Sequence, residues 1–255
     1  MSPSVRFEDL KYQSVFITGG GSGIGAALTE AFLRQGAKVA FCQRSDGTAF
    51  CDAMEKSTGN RPLFLPCDIS VTDQLQLTLS TAAKAHGPIT VLVNNAANDQ
   101  RHDTLKTDQA FWDWSINVNL RSYFFACQSV IPGMKAAGGG SIINFSSISF
   151  MMADKGYAAY ITANAGIVGL TRTLAREFGP DRIRVNAVAP GWVLTDRQKE
   201  LWVTPEGLAA YLERQCLPDP IQPEDVAGTV LFLASDASKM MTSQTLILDG
   251  GYISS

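Results

Sequence analysis

Paired cysteines, a basic stripe and an apolar run long enough to cross a bilayer are all missing from these 255 residues. The five cysteines, at 42, 51, 67, 127 and 216, are odd in number and never fall in Cys-x-x-Cys spacing. That excludes a disulfide framework or zinc site as the expected organisation and casts them as small buried apolar residues. The 21 Lys and Arg nearly balance 24 Asp and Glu, for a net charge of −3. They form no cluster that would offer nucleic acid a groove. Met1 to Gln13 has no apolar core of signal length, so the expectation is a cytoplasmic protein with no membrane partner. Histidine is scarce as well, with two in the chain. His102 has no companion at ligand spacing, and no metal site is expected. Neither internal repeats nor low-complexity linkers divide the chain, and its length suits a single domain over residues 1–255.

What is present is a nearly unbroken alternation of strand and helix patterns. Strands are expected at 14–18, 38–42, 63–66, 89–94, 141–146, 184–189 and 245–248. Helices are expected at 23–35, 48–57, 72–86, 111–135, 156–178 and 223–235. This order predicts an α/β, doubly wound parallel sheet of Rossmann-like form. The run Ile89-Thr90-Val91-Leu92-Val93 is almost wholly apolar, as a strand covered on both faces must be. Ligands in such sheets lie beyond the carboxyl ends of the strands, which puts Thr18, Asp68, Asn94, Ser147 and Pro190 along one edge.

The most informative stretch is Thr18-Gly-Gly-Gly-Ser-Gly-Ile-Gly25, directly behind the apolar strand Ser14 to Ile17. Glycines at 19, 23 and 25 suit a sharp turn out of a strand, close approach to a phosphate, and tight packing of the next helix. That helix then aims its free N–H groups at an anion. A glycine-rich turn with no ligand is the alternative. Residues 191–222 show little periodicity and have the position of a substrate lid, or else of a plain surface excursion. Tyr160 and Asn164, four apart on a helix, share a face turned toward the strand end at Ser147. From spacing alone Tyr160 is as readily a packing residue with a wet tip as an acid or base.

These residues together resemble the short-chain dehydrogenase/reductase family over essentially the whole chain. The resemblance implies that Gly19, Ser22, Gly23, Ile24 and Gly25 hold the pyrophosphate of a dinucleotide, and that Asp68 with Ile69 contacts adenine. Asn94-Asn95-Ala96-Ala97 is similar to the family's Asn-Asn-Ala-Gly element, bringing Asn95 and Ala96 to the cofactor. Pro190, Gly191, Val193 and Thr195 resemble its segment near the nicotinamide. Asn119 corresponds to the asparagine anchoring a proton-relay water. Ser147 and Tyr160, thirteen positions apart, correspond to the serine that steadies the substrate oxygen and the tyrosine that removes its proton. A homotetramer built on the helices around Asn119 and Tyr160 and on the segment Leu246 to Gly251 is implied too.

One position departs from the family. Tyr-x-x-x-Lys becomes Tyr160-Ile161-Thr162-Ala163-Asn164, which removes the cation that binds the nicotinamide ribose and lowers the phenol pKa. A unit charge ~5 Å away at an effective dielectric of ~20 is worth roughly 3 kcal/mol, or about two pKa units. Asparagine keeps a hydrogen bond to the ribose but supplies no charge. The expectation is an enzyme impaired at neutral pH that recovers as pH rises, unless Lys155 replaces the lost charge; the competing class is a nucleotide-binding sensor or inactive subunit. At the end of the second strand, Gln43 and Arg44 stand where an acid would repel a 2′-phosphate, which leans the cofactor toward NADP and leaves NAD open through Asp46. Candidate substrate contacts are Asn98, His102 and Ser149, with Trp192, Gln198 and Trp202 from the lid side. Polar groups beside aromatic faces suit a sugar, and the run from Asn94 to His102 resembles the family's aldose dehydrogenases.

Overall fold

In a computed structural model that describes residues 5–253, seven strands form one parallel sheet in the order β3-β2-β1-β4-β5-β6-β7. The first four residues of the Met1 to Gln13 stretch and the last two of the chain lie outside the described residues. The strands are β1 (Ser14–Thr18), β2 (Lys38–Gln43), β3 (Leu63–Pro66), β4 (Val91–Asn94), β5 (Gly140–Phe145), β6 (Ile183–Pro190) and β7 (Thr245–Leu248). Between them run α1 (Gly23–Arg34), α2 (Thr48–Thr58), α3 (Thr72–His86), α4 (Gln109–Ile116), α5 (Ser122–Ala136), α6 (Ser149–Met152), α7 (Ala158–Phe178), α8 (Asp196–Leu201), α9 (Pro205–Leu212) and α10 (Pro223–Ala234). The reversal of strand order between β1 and β4 opens the crevice in which such sheets bind ligands.

Strand periodicity builds two cores from one sheet. Val15 and Ile17 of β1 pack with α1, α2 and α10, while Phe16 between them faces α3, α5 and α7. Both faces are thus covered, which accounts for strand interiors with apolar residues on both sides.

Three expectations needed revision. The single helix at 111–135 is broken by a π-helical turn, Asn117–Arg121, between α4 and α5. Residues 191–222 are more regular than their weak pattern implied, since α8 and α9 lie there. Each is started by a threonine whose hydroxyl accepts a backbone N–H three residues on, Thr195 from Gln198 and Thr204 from Gly207. Such caps satisfy amides a short helix leaves open. Cys216 is exposed, whereas the other four cysteines are buried as expected.

Candidate active site

The carboxyl ends of the strands open into a cleft of about 1400 Å³. Every candidate catalytic, cofactor and substrate residue from the sequence lines it except His102. His102 is a loop pin: its backbone N–H donates to the Gly156 carbonyl at 2.7 Å, its ring nitrogen faces the Ala159 N–H at 3.4 Å, and the ring packs on Phe111.

One end of the cleft is shaped for a dinucleotide. Gly19 leaves β1 with φ +70°, and a Cβ on Gly25 would be driven into the Gly19 carbonyl, so the turn and the start of α1 close together only with glycine at both positions. Ser22 is the N-cap of α1, yet its hydroxyl caps no backbone amide; it and the first-turn N–H groups remain for an anion. Thr18 Oγ1 accepts from the N–H groups of Asn95 (2.9 Å) and Ala96 (3.0 Å), and the Asn95 amide returns a bond to the Thr18 carbonyl at 3.0 Å. The loop after β4 is thereby locked to the glycine turn. Asp68, which also lines the cleft, accepts from Ser70 through Oδ1 next to the buried Ile69. Arg44 is exposed in the cleft and makes no ion pair among the described residues. Asp46 has turned away, its Oδ1 taken by the Thr48 N–H (3.0 Å) and hydroxyl (2.7 Å) at the start of α2.

At the other end stands Tyr160, on the first turn of α7. Burial, and after it the charge of Asp99, pushes its phenol up to about 12, against smaller lowering contacts from Ser147 and Asn164. Among the described residues, no cation lowers it. Lys155 is exposed and does not line the cleft, so the lost lysine charge is not restored from there. Asn164 is buried and donates Nδ2 to the Tyr160 main-chain carbonyl at 2.9 Å. Ser147 follows β5 and takes the Ser149 N–H on its hydroxyl at 3.1 Å, while the Ser149 hydroxyl itself is buried with no partner. A buried hydroxyl facing a cleft without a bond is a group that awaits one.

Asn119 sits within the π turn and is buried. Its side chain accepts from the Asn98 N–H at 2.7 Å and donates to the Asn98 carbonyl and the Ser115 carbonyl, each at 3.0 Å. With Oδ1 and Nδ2 so engaged, the asparagine fixes the loop after β4 under the substrate space. The π turn explains how a helix residue reaches it, because the extra residue shifts side chains out of ordinary helical register.

Residues from α8 and α9 line the cleft and are tied to it through contacts the sequence did not single out. Asp99 accepts from Arg197 Nη1 at 2.6 Å and from Gln198 Nε2 at 2.9 Å, tying the β4 loop to α8. Burial pushes its carboxyl up, but the bonds from Gln198 and Arg197 and the charge of Arg197 outweigh that and hold it below the usual carboxylate value. Gln198 also accepts the Trp192 indole N–H at 3.0 Å, and the Trp192 backbone N–H donates to the Tyr211 hydroxyl at 2.9 Å. Arg101 lies 3.6 Å over the Tyr157 ring, which stacks on Tyr160 at 5.6 Å, and 5.3 Å from Trp202. Tyr211 and Tyr252 stack at 4.2 Å and complete an aromatic wall.

Comparison with known proteins agrees with this geometry. Residues 19–253 match the family described as Enoyl-(Acyl carrier protein) reductase. A protein named probable galactose dehydrogenase from Rhizobium meliloti is 48% identical over 98% of each chain. D-xylose 1-dehydrogenase of Caulobacter vibrioides is 46% identical over 98% of this chain and 99% of its own. Among solved structures, a short-chain type dehydrogenase/reductase from Mycobacterium ulcerans superposes with a TM-score of 0.91 at 26% identity, covering 97% of this chain and 91% of the other. A dinucleotide turn, a serine and tyrosine at one strand edge, and full-length relatives of this kind have one common account: the chain belongs to the short-chain dehydrogenase/reductase family.

Proposed function

We propose that the chain oxidises the anomeric hydroxyl of an aldose to the lactone, passing hydride to a nicotinamide dinucleotide. The observation that carries this reading is Tyr160 beside Ser147 in the wall of a polar and aromatic pocket, on a sheet edge whose other end presents a glycine turn with an uncapped Ser22. The relatives named for galactose and D-xylose give the substrate class. The donor set fits a dinucleotide: the α1 N-terminus and Ser22 for the pyrophosphate, Asp68 and Ile69 for adenine, and Asn95, Ala96, Pro190, Gly191, Val193 and Thr195 toward the nicotinamide. When bound, the oxidised dinucleotide supplies the hydride acceptor and a positive charge near the phenol. Arg44, unpaired in the cleft, favours NADP over NAD.

In this reading Ser147 donates to the substrate oxygen and holds it against Tyr160, whose phenolate removes the hydroxyl proton. Asn119 keeps the Asn98 loop in place and anchors the water that carries the proton away. Asn164 cannot lower the phenol pKa by charge, so oxidation is slow near neutrality and accelerates with alkali. Exposed Trp112 and Phe124 on α4 and α5 support self-association through these helices, as a tetramer. The cytoplasm is the compartment that suits four buried free thiols.

The test is turnover of a panel of aldoses and simple alcohols with each dinucleotide between neutral and alkaline pH, with Tyr160→Phe as the control. Aldose-dependent reduction of the dinucleotide that disappears in the variant supports the reading. Tight dinucleotide binding without turnover at any pH would support instead the sensor or inactive subunit that Asn164 also suggests.

A further inference from the structure

Of the charged groups in the cleft, Asp99 alone combines near-burial, a fixed orientation and an influence on the reacting phenol. Its side chain is 15% exposed. Its two oxygens are held separately, one by Arg197 and one by Gln198, and Gln198 is itself fixed through Trp192 to Tyr211. A carboxylate has about four acceptor positions, so roughly two remain free after those bonds. A rigid anion with spare lone pairs in a pocket built for a neutral polyhydroxyl compound accepts hydroxyl protons and repels anionic sugars.

We infer that Asp99 is a specificity-determining substrate residue, accepting from a hydroxyl of the aldose other than the one oxidised. This rests on the aldose reading above. The groups that act on Tyr160 are Asp99 on the loop after β4, Tyr123 on α5, Ser147 after β5, and Tyr157 and Asn164 on α7. Of these Asp99 carries the charge at neutral pH and keeps the proton on the phenol, while the Arg101 cation lies beyond Tyr157, 3.6 Å over that ring. The selectivity that the carboxylate confers is therefore coupled to a higher working pH. Arg197 tempers the coupling by pairing with the same carboxylate.

The experiment compares Asp99→Asn with Arg197→Gln, both of which break the same ion pair. For Asp99→Asn, the KM for the aldose rises by about tenfold or more, the dissociation constant for the dinucleotide stays unchanged, and the acid limb of the kcat profile moves about one unit down in pH. For Arg197→Gln, which keeps the carboxylate and removes its counter-charge, the acid limb moves up. A deoxy sugar lacking the hydroxyl held by Asp99 costs the unaltered enzyme the same factor in kcat/KM and costs Asp99→Asn nothing further. A latch with no substrate role moves both profiles the same way and leaves KM within twofold, and either result overturns the inference. If the unaltered chain turns over no aldose with either dinucleotide at any pH, the aldose reading falls and this assignment with it. Normal wild-type turnover with an unmoved KM in Asp99→Asn removes the assignment alone.

Discussion

Asn164 donates its amide to the main-chain carbonyl of Tyr160, one helical turn earlier, at 2.9 Å. The side chain in the position of the family's lysine is thus bonded back into its own helix and brings no charge to the phenol. Asn164→Lys supplies that charge, and the acid limb of the oxidative kcat profile is expected to move down by about two pH units. Rates measured from neutral to alkaline pH check this directly, and an unmoved profile shows that the charge is of no consequence here.

Arg44 is the expected reader of a 2′-phosphate. Arg44→Ala should weaken NADPH binding by about tenfold or more and leave NADH nearly unaffected, because a charge-assisted bond is removed from one ligand only. Dissociation constants from the fluorescence of the two reduced dinucleotides settle the preference.

Asn119 joins α4, the π turn and the β4 loop through bonds to Asn98 and Ser115. Asn119→Ala leaves the Asn98 N–H and carbonyl without their partner and should cost about 1–3 kcal/mol of stability. Urea unfolding measures it. A variant as stable as the parent would show that water replaces the asparagine.

Three phenols make the fold sensitive to alkali. Burial is the largest cause in each case, with Tyr160 and Tyr211 pushed up to about 12 and Tyr123 higher still. A group whose folded pKa is raised contributes stability that is complete below its unfolded pKa, near 10 for tyrosine, and is lost as pH rises through the folded value. The midpoint of unfolding should fall steadily above about pH 10. The ultraviolet signal of the Tyr123 and Tyr211 phenolates should appear together with loss of structure and not before it, whereas Tyr160 opens onto the cleft and ionises in the folded protein. Titration of all three rings in a still-folded protein would contradict the burial of Tyr123 and Tyr211.

The sheet was legible because its signals are local. A strand such as Val91 to Val93 is apolar at every position since both its faces are covered, and the glycine turn announces itself within eight residues. That Tyr160 and Ser147 meet at one strand edge was legible from their places on a strand end and a helix face, whereas spacing alone said nothing of their chemistry. The π turn was not, because one extra residue near Asn119 disturbs no apolar period strongly enough to be seen. Helices α8 and α9 are too short for periodicity, and only their threonine caps could have marked them. Asp99 and Arg197 lie 98 residues apart, and their pairing exists only once the β4 loop and α8 have been brought to the same edge. His102 shows the opposite failure: a polar residue at the right place in the chain whose ring is spent on holding a loop.

Thr195 caps α8, and its methyl group lies 3.0 Å from where a Cβ on Gly23 would sit. The start of α8 therefore abuts the glycine turn, and any side chain grafted onto position 23 would press on the residue from which that helix begins.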